Sequence, residues 1–320
     1  MQSLLDPAIL FFVFGMLAGT VRSNLEIPQP IARFLSLYLL MALGLKGGFA
    51  LARSGLTAEV LVSLACALAL AVVVPAIGYL LLVRWVSRFD AAAIAATYGS
   101  VSAVTFITAV QFLETQGVSY GGHMAAAMAL MESPAIVMAV VLANLARRKG
   151  HAQAVTSPHG IGKVLHESFT DGAQLLLLGA MVVGILTGES GEKAMQPFAG
   201  DLFKGMLAFF LLDMGLVAAR NFGSLKGQSA WLLAYAIFGP LVHAGLALGL
   251  ATVTGLSVGN TALLMVLAAS ASYIAVPAVV RQAIPEAHPS LYFGMSIGLT
   301  FPFNILVGIP LYTAIAQRVA

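Results

Sequence analysis

Two short stretches of the sequence combine hydroxyl side chains with residues that interrupt a helix. The first is 99–105 (GSVSAVT) and the second is 269–277 (ASASYIAVP). Serine and threonine donate and accept hydrogen bonds, Gly99 permits non-helical backbone, and Pro277 removes a backbone donor. An interrupted helix exposes amides that can bind an anion, while freed carbonyls and hydroxyls can hold a sodium ion. We therefore expect a small-anion and sodium site at these stretches.

Both stretches contribute to the predicted binding residues. The predicted substrate site consists of Gly99, Ser100, Val101, Ser102, Ala103, Ser270, Ala271, Ser272 and Tyr273. The predicted sodium ligands carry oxygen donors and are Ser102, Thr105, Glu132, Ser272 and Asn304. Glu132 is included because it stands beside Pro134, where a helix kink would free further oxygens. The alternative is that the serines and glycines only let two helices pack closely, or that Glu132 is structural.

The two stretches occupy equivalent places in an internal repeat. The recurring residues are Ser100, Ser102, Gly44-Leu45 and Pro75, matched by Ser270, Ser272, Gly215-Leu216 and Pro240. The serines recur 170 residues later and the Gly-Leu pair 171 residues later. If each half holds an odd number of spans, the second copy enters the membrane from the opposite side. Inverted repeats of this kind build many secondary transporters, and they favour a binding site over simple close packing.

Lys46 and Asp213 are ionisable residues inside apolar segments. Charge in the membrane is costly and is usually paired or functional. Because the two residues lie in equivalent segments of the halves, we predict an intramembrane pair between them. The alternatives are a direct role in transport, or a Lys46 side chain that reaches the membrane interface.

The elements that must position these residues are membrane-spanning helices. The chain is 60% hydrophobic and 9% charged, its mean hydropathy is +0.95, and no charged residue occurs between Gly227 and Val280. A spanning helix needs only about 20 apolar residues. We predict an all-α polytopic membrane protein whose ten spans form two inverted five-helix repeats, with broken helices near the midplane. The predicted spans are 7–22, 30–51, 57–83, 90–114, 120–146, 168–187, 198–219, 228–253, 258–283 and 288–317.

Basic residues give the predicted orientation, since cytoplasmic loops carry the excess of Lys and Arg. One face collects Arg22, Arg33, Arg84, Arg88, Arg147, Arg148, Lys149, Lys163, Arg220, Lys226 and Arg281. The other has Arg53, Lys193, Lys204 and Arg318. We therefore predict repeats at 1–147 and 168–320, a cytoplasmic linker at 148–167, and both termini outside the inner (plasma) membrane. Placement of the basic residues at the ends of apolar runs argues against nucleic acid as a partner, and the single Cys66 excludes an intrachain disulfide.

The chain resembles the sodium-dependent bicarbonate transporter (SBT) family of cyanobacteria and other bacteria over nearly its whole length. The similar segments are 44–48 (GLKGG), 99–105, 132–135 (ESPA), 141–144 (VLAN), Met214-Gly215 and the stretch from 268 to 311. The resemblance implies sodium-coupled bicarbonate uptake, a homotrimer in the lipid bilayer, and a bicarbonate site between two broken helices. It also implies a PII-like regulator on the cytoplasmic side.

Three departures from the family pattern bear on that site. Tyr273 stands where the cyanobacterial motif has aspartate, Val276 where it has glycine, and Val104 where it has serine. Ser100 supplies a hydroxyl at a position that is alanine there. Loss of the carboxylate at Tyr273 could weaken sodium coordination or fit another anion. The linker is also much shorter, which puts a linker-dependent regulator in doubt.

Three classes of function remain from the sequence. The first is a sodium-dependent secondary transporter that takes up bicarbonate or a related small anion by alternating access, without an organic cofactor. The second is a sodium-coupled carrier of another small organic carboxylate on the same scaffold, and Tyr273 keeps it open. The remote third is an intramembrane enzyme or a structural membrane protein. Because the chain has no HExxH and no paired catalytic aspartates, we predict that it is not an enzyme.

Overall fold

The computed structural model describes residues 6–149, 172–225 and 227–319. All regular elements within these ranges are helical, as the composition predicts. Most of the predicted linker, together with Lys163 and Lys226, lies outside the described residues.

The helices follow the predicted spans closely, and two of those spans are broken. In chain order they are α1 (Pro7–Thr20), α2 (Gln29–Ser54), α3 (Ala58–Leu82), α4 (Arg88–Gly99), α5 (Ala103–Thr115), α6 (Met124–Lys149), α7 (Gly172–Met195), α8 (Phe203–Asn221), α9 (Ala230–Thr254), α10 (Val258–Ala269), α11 (Ala275–Ala283), α12 (Pro289–Met295), α13 (Phe301–Phe303) and α14 (Ile309–Val319). Turns of π-helix cover Gln196–Asp201, Ser296–Thr300 and Asn304–Gly308, and Phe222–Leu225 is a 3-10 turn. The fourth predicted span is α4 plus α5, and the ninth is α10 plus α11.

Seven helical stretches of the described chain are long and apolar enough to cross a membrane. Pro7–Thr20 and Val258–Ala269 are further apolar helices of shorter length. Val258–Ala269 is short because the chain leaves helical geometry at Ser270. The helices therefore form a polytopic membrane protein, while the ten-span inverted repeat stays a prediction.

Local sequence explains where several helices begin and end. The Asp6 carboxylate caps α1 by accepting a hydrogen bond from Ala8 N at 2.9 Å. Ser87 caps α4 in the same way through Asp90 N at 3.1 Å. Gly255 ends α9 in the left-handed conformation that side chains disfavour, with φ +69°. Gly188, at φ +53°, turns the chain within α7, where the sixth predicted span ends.

Two helix pairs carry the closest packing, because glycine lets their backbones touch. Helix α2 packs on α7, with Gly44 against the Leu177 carbonyl. Helix α1 packs on α8, with Gly215 against the Phe12 carbonyl. A side chain at either glycine would overlap backbone of the neighbouring helix. The Gly-Leu pair that recurs in the sequence thus lies at close helix contacts in both halves.

The helices that lead into the two interruptions lie in the interior. Each residue from Asp90 to Gly99 of α4 is buried, and each residue from Gly259 to Ala269 of α10 is buried. Helix α6 packs against α4 and α11, and α10 packs against α5 and α14. The broken segments are therefore enclosed by protein, which is the condition for non-helical backbone at membrane depth.

Candidate functional site

The first interruption separates α4 from α5 at Ser100–Ser102. Ser100 is extended (φ −94°, ψ −177°), so the helix stops there after its amide bonds Ala96 O. The Ser102 hydroxyl then caps α5 by accepting from Thr105 N at 3.2 Å. Gly99 is required for a separate reason: a Cβ there would lie 2.6–2.7 Å from three atoms of the Pro75 ring. The kinked helix α3 thus packs directly onto the end of α4.

The second interruption separates α10 from α11 and uses the same serine chemistry. Ser270 is extended (φ −81°, ψ 164°) and ends α10. The Ser272 hydroxyl accepts from Val276 N at 3.3 Å in the first turn of α11. Pro277 lies in that turn as well, where the amide that it lacks would have no helical partner. In each helix that follows a break, a serine hydroxyl therefore accepts a hydrogen bond from an amide of the first turn.

The two interruptions cross and hydrogen-bond to each other. Ser102 N donates to Ser270 Oγ at 3.0 Å, and Ser272 N donates to Thr97 O at 2.9 Å. Ser270 Oγ in turn donates to Leu267 O at 2.9 Å. The structure thus brings the two predicted serine stretches together, although they are 170 residues apart in the chain.

Two buried hydroxyls at the first interruption lack a hydrogen-bond partner within the described ranges. They are Ser100 Oγ and Thr105 Oγ1, whose residues are about 1% exposed. A buried hydroxyl without a partner costs about 1–3 kcal/mol. The first turn of α5 adds amides that no helical carbonyl can reach, and its end of the helix dipole is positive. The crossing therefore offers hydrogen-bond donors to an anion without a cationic side chain.

Tyr273 extends from the second interruption toward α8. Its hydroxyl donates to Met214 Sδ at 3.8 Å, and its ring packs edge-on against Phe301 with centroids 5.3 Å apart. The hydroxyl also lies beside the Ser102 side chain and within electrostatic range of Asp213. Because a thioether is a weak acceptor, Tyr273 retains most of its capacity to bond a ligand.

Other predicted substrate residues line the crossing through backbone or small side chains. Val101 and Ala271 are buried, and Ala103 is half-buried as the first residue of α5. Asn304 lies at the crossing, since its Nδ2 donates to Ala269 O at 2.8 Å and its Oδ1 accepts from Tyr312 OH at 3.1 Å. Glu132 lies half-buried on α6. Its role as a sodium ligand stays a prediction, as do the other assignments of ligands.

The predicted pair between Lys46 and Asp213 does not form. Lys46 Nζ instead lies 3.1 Å from Glu114 Oε2 and 4.2 Å from the centroid of the Phe203 ring. Phe203 begins α8, whereas Asp213 lies ten residues further along it, about 15 Å at the helical rise. Equivalent places in two halves therefore do not bring these charges to the same depth.

Three residues at the site were not predicted from the sequence: Thr97, Tyr98 and Tyr312. Thr97 contributes its backbone carbonyl, which every residue has, so its side chain carried no signal. Tyr98 OH bonds Thr300 Oγ1 at 2.6 Å directly before the interruption. A tyrosine buried in an apolar helix needs a polar partner, and that requirement was a usable signal.

This architecture is typical of secondary transporters, in which interrupted helices meet inside a bundle of spans. The chain belongs to the Na⁺-dependent bicarbonate transporter superfamily, whose family model matches residues 7–317. The match confirms the resemblance seen in the sequence, and it identifies a transporter rather than an enzyme. A search of curated proteins found no match.

Proposed function

We propose that this protein takes up bicarbonate or a closely related small anion together with sodium, by alternating access, at the crossing of the two interruptions. The observation that carries the proposal is the pair of buried hydroxyls, Ser100 Oγ and Thr105 Oγ1, which have no partner in the described chain at this crossing. Membership of a sodium-dependent bicarbonate transporter superfamily supports the coupling ion and the class of substrate.

The anion is held by donors from both interruptions. The first turn of α5 supplies amides, α5 and α11 both supply positive helix ends, and Ser100 supplies a hydroxyl. Tyr273 supplies a phenol whose hydroxyl donates to the weakly accepting Met214 thioether and lies beside the Ser102 side chain. Neutral donors bind a monoanion without trapping it, and release is as necessary to a carrier as binding.

Sodium is held by the oxygen donors predicted from the sequence. Ser102, Thr105 and Ser272 stand at the crossing, and Asn304 contacts it through the Ala269 carbonyl. The buried Asp213 adds negative potential close to Tyr273. The Asp213 carboxylate partly replaces the one that the family pattern has at position 273.

An inverted repeat supports alternating access, because exchange of the two halves' conformations exchanges the open side. The packing agrees with such a repeat. The first helix of one half packs on the second helix of the other, in α1 on α8 and again in α7 on α2. The third and fourth spans also pair equivalently, as α3 on α4 and as α9 on α10.

The proposal includes the predicted assembly and orientation. The protein would act as a homotrimer with both termini outside and the 148–167 linker in the cytoplasm. The basic residues at the cytoplasmic ends support the orientation. A PII-like regulator would have to act without the longer linker of the cyanobacterial proteins.

Tyr273 favours a second candidate, the transport of another small organic carboxylate. Phenol in place of carboxylate removes a negative charge beside the anion, and the surrounding Phe301 ring offers apolar contact. A carboxylate with a short apolar group would use both features.

The test is uptake of labelled bicarbonate, and of a panel of small carboxylates, into proteoliposomes with and without an inward sodium gradient. The proposal expects bicarbonate uptake that depends on the gradient. Gradient-dependent uptake of a carboxylate but not of bicarbonate would select the second candidate. Uptake that is independent of sodium for every anion would contradict both.

A further inference from the structure

A recess in the surface lies away from the crossing, on the outer side of α3 and α9. Its volume is about 260 Å³, and its lining residues include Gly78, Leu81 and Trp85 from the α3 side and Trp231, Phe238 and His243 from the α9 side. Trp231 and Phe238 are 62% and 63% exposed. In a polytopic membrane protein such an apolar, exposed surface faces lipid. We call this recess the α3/α9 groove.

The inner wall of the α3/α9 groove carries a buried polar atom with no partner. Tyr235 is 5% exposed, and its hydroxyl has no hydrogen-bond partner among the described residues. That hydroxyl approaches Gly78, where a Cβ would lie 2.7 Å from it. Leaving the hydroxyl unbonded costs about 1–3 kcal/mol, so a ligand with an acceptor oxygen would be stabilised there.

One end of the groove has the residues of a membrane interface. The indoles of Trp85 and Trp231 stack with centroids 5.5 Å apart and an interplanar angle of 11°. Arg84 and Arg88 flank Trp85 in the sequence, and both are exposed. Aromatic and basic residues gather in this way at the level of lipid headgroups, and the arginines attract anionic ones.

The dimensions of the groove select its occupant. From Trp231 to His243 the wall follows twelve residues of α9, about 18 Å of helix. One leaflet of a bilayer has about 15 Å of hydrocarbon. The volume is slightly below the ~300–1,000 Å³ of pockets for drug-sized ligands, so it suits a narrow chain better than a ring system.

We propose that the α3/α9 groove binds an anionic phospholipid. One acyl chain lies along α9 toward His243, an ester carbonyl accepts a hydrogen bond from the Tyr235 hydroxyl, and the phosphate lies against Arg84 and Arg88. Charge, depth and the unpaired hydroxyl all fit this one ligand.

The groove is connected to the crossing through aromatic side chains. The Tyr235 ring packs edge-on against Tyr98 with centroids 5.1 Å apart. Tyr98 immediately precedes Gly99 and bonds Thr300, whose hydroxyl donates to Ala236 O at 2.7 Å. A lipid that fixes Tyr235 therefore steadies the helix end at the first interruption. The lipid site itself does not depend on which anion is carried.

Intrinsic fluorescence tests the site directly, because Trp85 and Trp231 are the two tryptophans of the chain. The protein is reconstituted in phosphatidylcholine vesicles to which phosphatidylglycerol or phosphatidylcholine with brominated acyl chains is added. We expect brominated phosphatidylglycerol to quench at several-fold lower mole fraction. A basic residue near the surface contributes about fivefold to attraction of an anionic lipid.

Three variants separate the groove from ordinary contact with bulk lipid. Ala234→Phe fills the groove and should remove the preference for phosphatidylglycerol, whereas Val253→Phe, at the 87% exposed far end of α9, should preserve it. The double variant Arg84→Gln/Arg88→Gln should make quenching by the two lipids nearly equal. This double variant tests the proposal even if Ala234→Phe does not fold. Equal quenching by both lipids in the unaltered protein, or an unchanged preference in the arginine variant, would overturn the proposal.

Discussion

Ser270→Ala is the substitution that acts most specifically on the crossing of the two interruptions. The Ser270 hydroxyl accepts from Ser102 N at 3.0 Å and donates to Leu267 O at 2.9 Å. Leu267 O also accepts from Ser270 N at 3.2 Å, so it keeps a partner in the variant. The loss therefore falls on Ser102 N, a buried amide that is left without an acceptor.

The magnitude follows from that one amide. A buried donor without a partner costs about 1–3 kcal/mol, which corresponds to a factor of about 5 to 150 in the equilibrium that forms the crossing. We expect sodium-driven uptake by Ser270→Ala to decrease by a factor within that range, at equal amounts of folded protein in the vesicles. Size-exclusion profiles of the purified variant establish the amount of folded protein.

Ser63→Ala is the matched control, because Ser63 is also a fully buried serine but lies on α3. Its hydroxyl has no partner in the described chain, so its removal leaves no group unbonded. Uptake by Ser63→Ala should stay unchanged. If Ser270→Ala transported within twofold of Ser63→Ala, the crossing would not be the site that we describe.

Further predictions concern the hydroxyls, the Lys46–Glu114 ion pair and the loop between α11 and α12. Ser100→Ala and Thr105→Val should raise the melting temperature or leave it unchanged, since these hydroxyls bond no protein group in the described residues, while KM for the anion rises about tenfold; a lower melting temperature with unchanged KM would show a structural role instead. Lys46→Met should lower stability, and adding Glu114→Gln should restore it while adding Asp213→Asn should not. Rescue by Asp213→Asn would instead support the predicted pair between Lys46 and Asp213. Burial alone would raise the pKa of Glu286, but hydrogen bonds from Arg147 outweigh it and the pKa is lowered. Stability from this contact is present above the ordinary carboxyl pKa and is lost as pH falls through the lowered one. The melting temperature should therefore drop more steeply below about pH 4.5 in the unaltered protein than in Arg147→Gln. The contact contributes no more than the ~0–1 kcal/mol of an exposed pair to the free energy of unfolding. Equal slopes in the two proteins would contradict this assignment.

Composition and serine spacing were enough to predict the helices and both interruptions. Apolar runs determine spans because the membrane leaves the backbone few alternatives, and the serine hydroxyls bond amides in the first turns of α5 and α11. The pairing of Lys46 was mispredicted because residues that correspond in the two halves of a predicted repeat need not lie at the same depth. Its partner in the structure, Glu114, lies near the end of α5 in the same half of the chain, and that contact depends on tertiary packing.

The contribution of Thr97 shows a second limit. Its carbonyl accepts from Ser272 N, and only the crossing of the two interruptions brings these two groups together. The α3/α9 groove is similar, since Gly78 and Tyr235 are far apart in the sequence and meet only in the fold.

The most direct test of the central claim is protection of a cysteine placed at the crossing. Ala103 begins α5 and is half-buried, and the native Cys66 can be replaced by serine. In Cys66→Ser/Ala103→Cys, maleimide labelling should slow when bicarbonate and sodium are both present, and should not slow with bicarbonate in potassium. Labelling at the same rate in both solutions, in protein that still transports bicarbonate with sodium, would place the substrate elsewhere and contradict the account.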